Sequence, residues 1–191
     1  MADITPAHCT DLAENRNIGK EWERNFCLLA ARHGRMFTPH QIGRSRSAAA
    51  HWRDDKWHSL MLPDITIWTR PGEHHEVKHK SPTGNGLYGL EHYRLVALKR
   101  FADETGQTVF YTIHNWARLG DRNSKENRDE DWDTANVQAL WRATKAGTAK
   151  SSRFPSWVNG QKMSDIDGWY WPIRFFKPLV SIWPELQAAP G

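Results

Sequence analysis

The chain has 191 residues, 39% of them hydrophobic, with 11 Trp and 7 Phe, and carries a net charge of +4 with a pI near 9.2. That length and aromatic content suit one domain with a real core and exclude a disordered polymer. No run approaches the roughly 20 apolar residues of a membrane span, which excludes a helical membrane protein.

The first 17 residues hold no basic segment followed by an apolar core, so no secretory leader is expected. From Ile18 to His33, Trp22, Phe26, Leu29 and Ala30 recur at helical spacing, and Gly34 suits the end of a helix. Glu23 lies at the edge of that stripe, in line with Cys27 and Ala30, whereas Glu21 shares a side with Asn25 and Arg32. Glu23 is therefore the acid expected to look inward. Cys9 and Cys27 form no disulfide pattern, which fits a reducing cytoplasm.

Residues 35–42 (RMFTPHQI) read as a strand broken by Pro39. Residues 43–59 (GRSRSAAAHWRDDKWHS) are basic and aromatic without clean periodicity and read as a loop or short helix. ITIWT after Asp64 and HEVKHK around Glu76 alternate as strands. Residues 81–86 form a loop, and residues 87–106 read as a strong helix with Leu90, Tyr93, Arg94, Ala97, Leu98 and Phe101 on its stripe and Gly106 at its end. QTVFYTIHN follows as a nearly all-apolar, central strand. This helix joins its flanking strands as a crossover, which makes those strands parallel.

Residues 121–136 form a charged loop with six acids against three bases. A helix is expected from about Ala135 to Lys145. The tail carries Trp157, Trp169, Tyr170, Trp171, Phe175, Phe176 and Trp183 and is expected to pack onto the core. The order is helix, β-meander, helix, β, an α/β unit with a mixed central sheet. Its divisions are an N-terminal segment (1–17), a core (18–120), the charged loop (121–136) and a C-terminal extension (137–191).

Residues 62–80 (LPDITIWTRPGEHHEVKHK) carry the chemistry. Side chains alternate along a strand, so Glu76, Lys78 and Lys80 share one face, and Asp64, Thr66 and Trp68 share one face of the preceding strand. A two-residue turn at Pro71-Gly72 would place Asp64 and Glu76 on opposite faces. Pro-Gly favours a type II turn, which suits such hairpins poorly, so an odd-length or bulged connection is expected to bring the two acids together. Two carboxylates beside a lysine form a hard oxygen site for Mg²⁺ or Mn²⁺. Such a site lowers the pKa of a bound water and neutralises charge on a phosphodiester.

Pro63-Asp64 and Glu76-Val77-Lys78 resemble the signature of the PD-(D/E)XK nuclease superfamily, and the element order resembles its restriction-endonuclease-like core. GKEWERNF, from Gly19 to Phe26, is similar to the first-helix motif of its Holliday junction resolvase branch. The resemblance covers residues 18–115. It implies Asp64 and Glu76 as metal ligands, the Val77 carbonyl as a further ligand, Lys78 as the catalytic lysine and Glu23 as a second-metal or water-mediated ligand. It also implies an accessory residue on the helix after the third strand, for which Glu91, His92 and Tyr93 are the candidates. The last 75 residues match nothing in the pattern.

Residues 16–60 hold nine Lys or Arg against four acids, and residues 137–191 hold seven against three. Two basic segments around a neutral middle suit a polyanion, nucleic acid being the commonest. Arg32, Arg35, Arg44, Arg46, Arg53 and Lys56, with His40, His51, Trp52 and Trp57 interleaved, are candidates for phosphate contact, as are Lys20 and Lys80. His74, His75 and His79 lack cysteine partners and the last two face away from Glu76, so they read as structural rather than as a zinc site. His114-Asn115 at the end of a buried strand, and Cys27 on an apolar edge, read the same way.

The expected function is a Mg²⁺-dependent DNA endonuclease acting as a homodimer on double-stranded or branched DNA. GKEWE leans towards a junction resolvase, and the aromatic tail leans towards a restriction-type enzyme. A defence or toxin nuclease would use the same chemistry. The rival of another class is a non-catalytic DNA-binding module on a nuclease-like fold.

Overall fold

A computed structural model describes residues 12–40, 48–53, 56–68, 72–154, 157–158, 161–162 and 165–183. In chain order the elements are α1 (Leu12–Arg32), β1 (Phe37–Pro39), β2 (Ala48–Arg53), β3 (Lys56–Met61), β4 (Ile65–Ile67), β5 (Glu73–Lys80), β6 (Leu87–Glu91) and α2 (His92–Thr105). Then come β7 (Thr108–Asn115), β8 (Trp132–Asn136), α3 (Val137–Lys145), β9 (Lys150–Phe154), β10 (Trp157–Val158), β11 (Gln161–Lys162), β12 (Ile166–Pro172) and β13 (Lys177–Pro178).

The frame is a mixed six-stranded sheet in the order β1-β4-β5-β7-β8-β13. Only β5 and β7 run parallel, joined through α2, and the other neighbours in the sheet are antiparallel. A second, three-stranded antiparallel sheet has the order β6-β12-β9. Alternation along β5 and β7 sends side chains to two separate cores. On one face Trp22, Phe26 and Leu29 of α1 meet Ile65, Ile67, Val77 and Trp132. On the other, Leu95, Leu98 and Phe101 of α2 and Leu140 of α3 meet Val109, Tyr111, Ile113 and Trp171.

α1 ends as its glycine predicts. Gly34 adopts φ +64°, and the Arg35 N–H returns to the Ala30 carbonyl at 2.9 Å. A residue with a Cβ would be strained in that left-handed conformation. Gly106 closes α2 in the same way, its N–H on the Ala102 carbonyl at 3.0 Å.

Four expectations are revised. Residues 87–91 are not the first turn of the second helix but strand β6, because Leu87–Glu91 pairs residue for residue with β12. That partner lies some 80 residues on and leaves no trace in local periodicity. Ala48–Met61 is neither loop nor helix but the hairpin β2–β3, paired from Ala48↔Met61 to Arg53↔Lys56. The charged segment ends early: Trp132–Asn136 is strand β8, buried against β7, and helix α3 starts at Val137 with Asn136 as its N-cap. Of the strand expected over 35–42, the described residues 35–40 hold β1 at Phe37–Pro39, and residues 41 and 42 lie outside the described residues.

The aromatic tail joins the frame. Trp171 is fully buried and donates its indole N–H to the Leu140 carbonyl at 3.1 Å, while Phe176 and Trp183 are buried in the two cores.

Candidate active site

The register of β4 against β5 fixes the centre of the site. Ile65 pairs with His75, Thr66 with His74 and Ile67 with Glu73, so paired residue numbers sum to 140. Continued by one step, that register sets Asp64 opposite Glu76, on the same face. Five residues, 68–72, separate the strands, which is the odd-length connection expected from the sequence. The Asp64 carboxylate closes the hairpin end by accepting the Val77 N–H at Oδ2, 2.8 Å away.

Lys78 lies between the two acids. Its ammonium donates to Asp64 Oδ2 at 3.2 Å, to Glu76 Oε1 at 2.5 Å and to the Val77 carbonyl at 2.9 Å. Asp64 and Glu76 are buried, and the Lys78 side chain is 24% exposed, so the group opens to solvent through the lysine. Burial alone would lower the Lys78 pKa, but the Asp64 and Glu76 carboxylates override it and hold the ammonium above its ordinary range. Burial pushes the Glu76 carboxyl up, Asp64 adds to this, and Lys78 and Arg94 oppose it.

Arg94 is the residue the sequence reading missed. It lies buried on α2, its Nε 3.2 Å from Glu76 Oε1 and its Nη1 3.4 Å from the Met61 sulfur. The signal was an arginine on an otherwise apolar stripe, a position that demands a buried partner. The three accessory candidates stand elsewhere. Glu91 is the half-buried N-cap residue of α2, His92 accepts the Trp169 indole N–H at 2.9 Å, and Tyr93 is exposed.

Glu23 reaches the cluster from α1, which packs on the opposite face of the sheet. Its carboxyl pKa rises to about 7, first through burial and then through Asp64, with Glu76 adding and Lys78 and Lys20 opposing. Glu23 thus shares the field of the cluster, while Glu21 points away and accepts Lys125 Nζ at 2.6 Å. Cys27, one turn along, is buried, and its thiol is pushed up to about 11 by burial and by Glu23. That suits a core residue and not a nucleophile.

One more group adjoins Asp64. The His40 N–H donates to the Asp64 carbonyl at 2.8 Å, and its ring starts a chain through the Thr66 hydroxyl (2.5 Å) to His74 Nδ1 (2.8 Å) and on to Gln107. His75 instead bonds the Thr112 hydroxyl at 2.8 Å on the far face. His79 pairs with His114, Nδ1 to Nδ1 at 3.0 Å, and with the Arg122 carbonyl at 3.1 Å. A carbonyl only accepts, so His79 carries its proton on Nε2 and His114 donates from Nδ1. Trp22 stacks on both rings, at 3.6 Å from His114 and 4.6 Å from His79.

Among the candidate phosphate contacts, Lys20 is exposed on α1, and Lys80 is drawn to the Gly89 carbonyl at 2.9 Å. Arg53 ends β2, opposite Lys56. Arg44 and Arg46 lie outside the described residues.

The donors are all oxygen: two buried carboxylates and one main-chain carbonyl. Glu76 Oε2 is buried with no hydrogen-bond partner among the described residues, a costly state that a cation would relieve. No three His, Cys, Asp or Glu side chains among the described residues group tightly enough to form a cage by themselves. That composition fits a magnesium-type ion, which takes one or two carboxylates and completes its shell with water and phosphate oxygens.

No family model and no curated protein matches the chain. Among solved structures it is similar to Hjc, a Holliday junction resolvase from the archaeal hyperthermophile Archaeoglobus fulgidus. The identity is 12% and the TM-score 0.47, over 86% of this chain and 93% of that one. A likeness at that level says nothing about chemistry. No helix among the described residues is long and apolar enough to cross a membrane.

Proposed function

We propose that the protein is a divalent-metal-dependent DNA endonuclease that hydrolyses phosphodiester bonds at Asp64, Glu76 and Lys78. The observation that carries this reading is the buried pair of carboxylates held on one face about the Lys78 ammonium, with Glu76 Oε2 unpartnered. A binding surface for DNA gains nothing from buried acids beside phosphate; a hydrolytic site needs them. Asp64, Glu76 and the Val77 carbonyl would hold Mg²⁺ or Mn²⁺, which supplies an activated water and offsets phosphate charge.

The chain's own groups divide the remaining work. Lys78 stays protonated near neutral pH, so it serves as a fixed donor to the charge that grows on the phosphate, not as a base. Glu23, with a carboxyl near pH 7, is matched to accepting a proton from water. Arg94, its Nε 3.2 Å from Glu76 Oε1, offsets part of the Glu76 charge. The basic surface, with Lys20 beside the site, holds the DNA backbone, and a second copy of the chain would supply the cut on the other strand.

One observation favours the non-catalytic reading. Two acids, Asp64 and Glu76, already face two bases, Lys78 and Arg94, so the cluster is neutral without a metal. Incubation with supercoiled plasmid and a synthetic four-way junction, in Mg²⁺, Mn²⁺ or EDTA, separates the two. Metal-dependent cutting abolished in Lys78→Ala and Asp64→Asn establishes the enzyme, and the preferred substrate separates the resolvase from the restriction-type and defence alternatives. No cutting, with DNA binding indifferent to metal and to both substitutions, leaves a DNA-binding module.

A further inference from the structure

We propose that a groove leading away from Lys78 along β5, β6 and β12 holds an unpaired segment of the DNA strand, with a base stacked on Tyr170 or Trp116. The inference rests on the nuclease reading and names its substrate more closely: DNA with nucleotides out of the duplex beside the scissile phosphate.

Lys80 follows Lys78 on the same face, ~6.7 Å further along the strand. There it enters a cleft of about 470 Å³, lined by Lys80, Leu87, Trp116, Arg122 and Tyr170 among others. That volume lies in the roughly 300–1,000 Å³ range of small-ligand sites. A second cavity of about 140 Å³ shares Leu87 and Tyr170 and adds Lys150. Tyr170 thus forms a wall common to both. Its place explains why: on β12 it pairs with Gly89 on one side and Lys150 on the other, and Gly89 contributes no side chain to the floor.

The chemistry of the walls identifies the occupant. Three cations, Lys80, Arg122 and Lys150, are spread along the groove; no carboxylate is among the described residues that line either cavity, although the charge of Glu91 acts on both Lys80 and Tyr170. The Lys80 ammonium rests on the neutral Gly89 carbonyl and lies 6.0 Å from the Tyr111 ring. Cations that follow a backbone, interleaved with aromatic rings, are the pattern of single-strand sites. A base inside a duplex has no free face to offer such rings; an extruded base does. Tyr170 and Trp116 are half-buried, and none of the contacts described for Asp64, Glu76, Lys78 and Arg94 runs through either ring.

The test measures binding separately from cutting. Full-length protein in EDTA is titrated against a duplex with one unpaired 2-aminopurine, the same duplex fully paired, and the free 2-aminopurine deoxynucleotide, following fluorescence and anisotropy. The unpaired duplex should bind about tenfold tighter than the paired one, with quenching of the 2-aminopurine. Tyr170→Ala and Trp116→Ala should each reduce that preference, and Tyr170→Phe should restore it because the ring remains. Equal binding of paired and unpaired duplex by a protein that still cuts DNA with metal would overturn the groove and leave the nuclease. Free nucleotide binding as tightly as the unpaired duplex would also overturn it, in favour of a mononucleotide site. Absence of both DNA binding and cutting would overturn both readings.

Discussion

Strand β5 has two faces with opposite physics. Toward α1 it sends His75, Val77 and His79, where Phe26 lies tilted against the His75 ring and Trp22 stacks on His79. Toward α2 it sends Glu76, Lys78 and Lys80, which bury charge in the same few ångströms of sheet. One face is held mainly by packing and hydrogen bonds between side chains, the other mainly by counter-charge. The same strand therefore anchors the fold on one side and carries the candidate site on the other. The difference shows why the acids stay in place: the α1 face clamps β5 rigidly while its neighbours across the pleat bear repulsion and desolvation.

The faces also answer pH with opposite signs. Burial lowers His79 to about 4 and His114 to about 3, against an ordinary value of ~6.5. The folded protein binds fewer protons there than the unfolded chain, so stability from this face is whole above pH ~6.5 and falls as pH drops toward 4 and 3. Glu23 is raised to about 7, so its favourable contribution is whole below pH ~4.5 and lost as pH rises through 7.

Breaking the charged face should give the largest effect. Lys78→Ala and Asp64→Asn are each expected to reduce metal-dependent cleavage by about 10²–10³-fold or more, read as initial rates on plasmid. Breaking the aromatic face should spare metal binding but not stability. Trp22→Ala removes the ring stacked on both histidines and is expected to lower unfolding free energy by about 3–5 kcal/mol in urea titrations, with Mn²⁺ affinity of the folded protein little changed. A change in affinity without a change in stability would overturn the division between the faces.

Smaller substitutions sharpen the pH contrast. Glu23→Gln should stabilise the metal-free protein at pH 8 by about 1–2 kcal/mol after solvent screening, an advantage that shrinks toward pH 4.5. The same variant should cut more slowly with metal. His114→Gln should cause the smallest effect. It removes one acid-sensitive group, so the fall in melting temperature between pH 6.5 and 4 should become shallower. A fall as steep as in the parent would assign acid sensitivity to other groups.

Much of this was legible from residue order. The alternation of β5, the parity of the connection before it and the inward phase of Glu23 follow from period-2 and period-3.6 geometry acting within a few residues. What escaped depends on partners far along the chain. Leu87–Glu91 merges smoothly into a helical pattern and becomes a strand only because β12 comes alongside. The β2–β3 hairpin has no strict alternation to announce it. Arg94 counts with the stripe of its helix, and its partner Glu76 comes from strand β5, beyond the reach of local spacing.

The pairing of Ile65 with His75 and of Ile67 with Glu73, and not the length of the connection between them, keeps Asp64 and Glu76 on one face. A residue added between Ile67 and Glu73 lengthens the loop and leaves those pairs as they are, whereas a residue added inside β4 or β5 turns everything beyond it to the other face. An insertion between Asp64 and Ile65 should therefore part the two acids, and one in the connection should not.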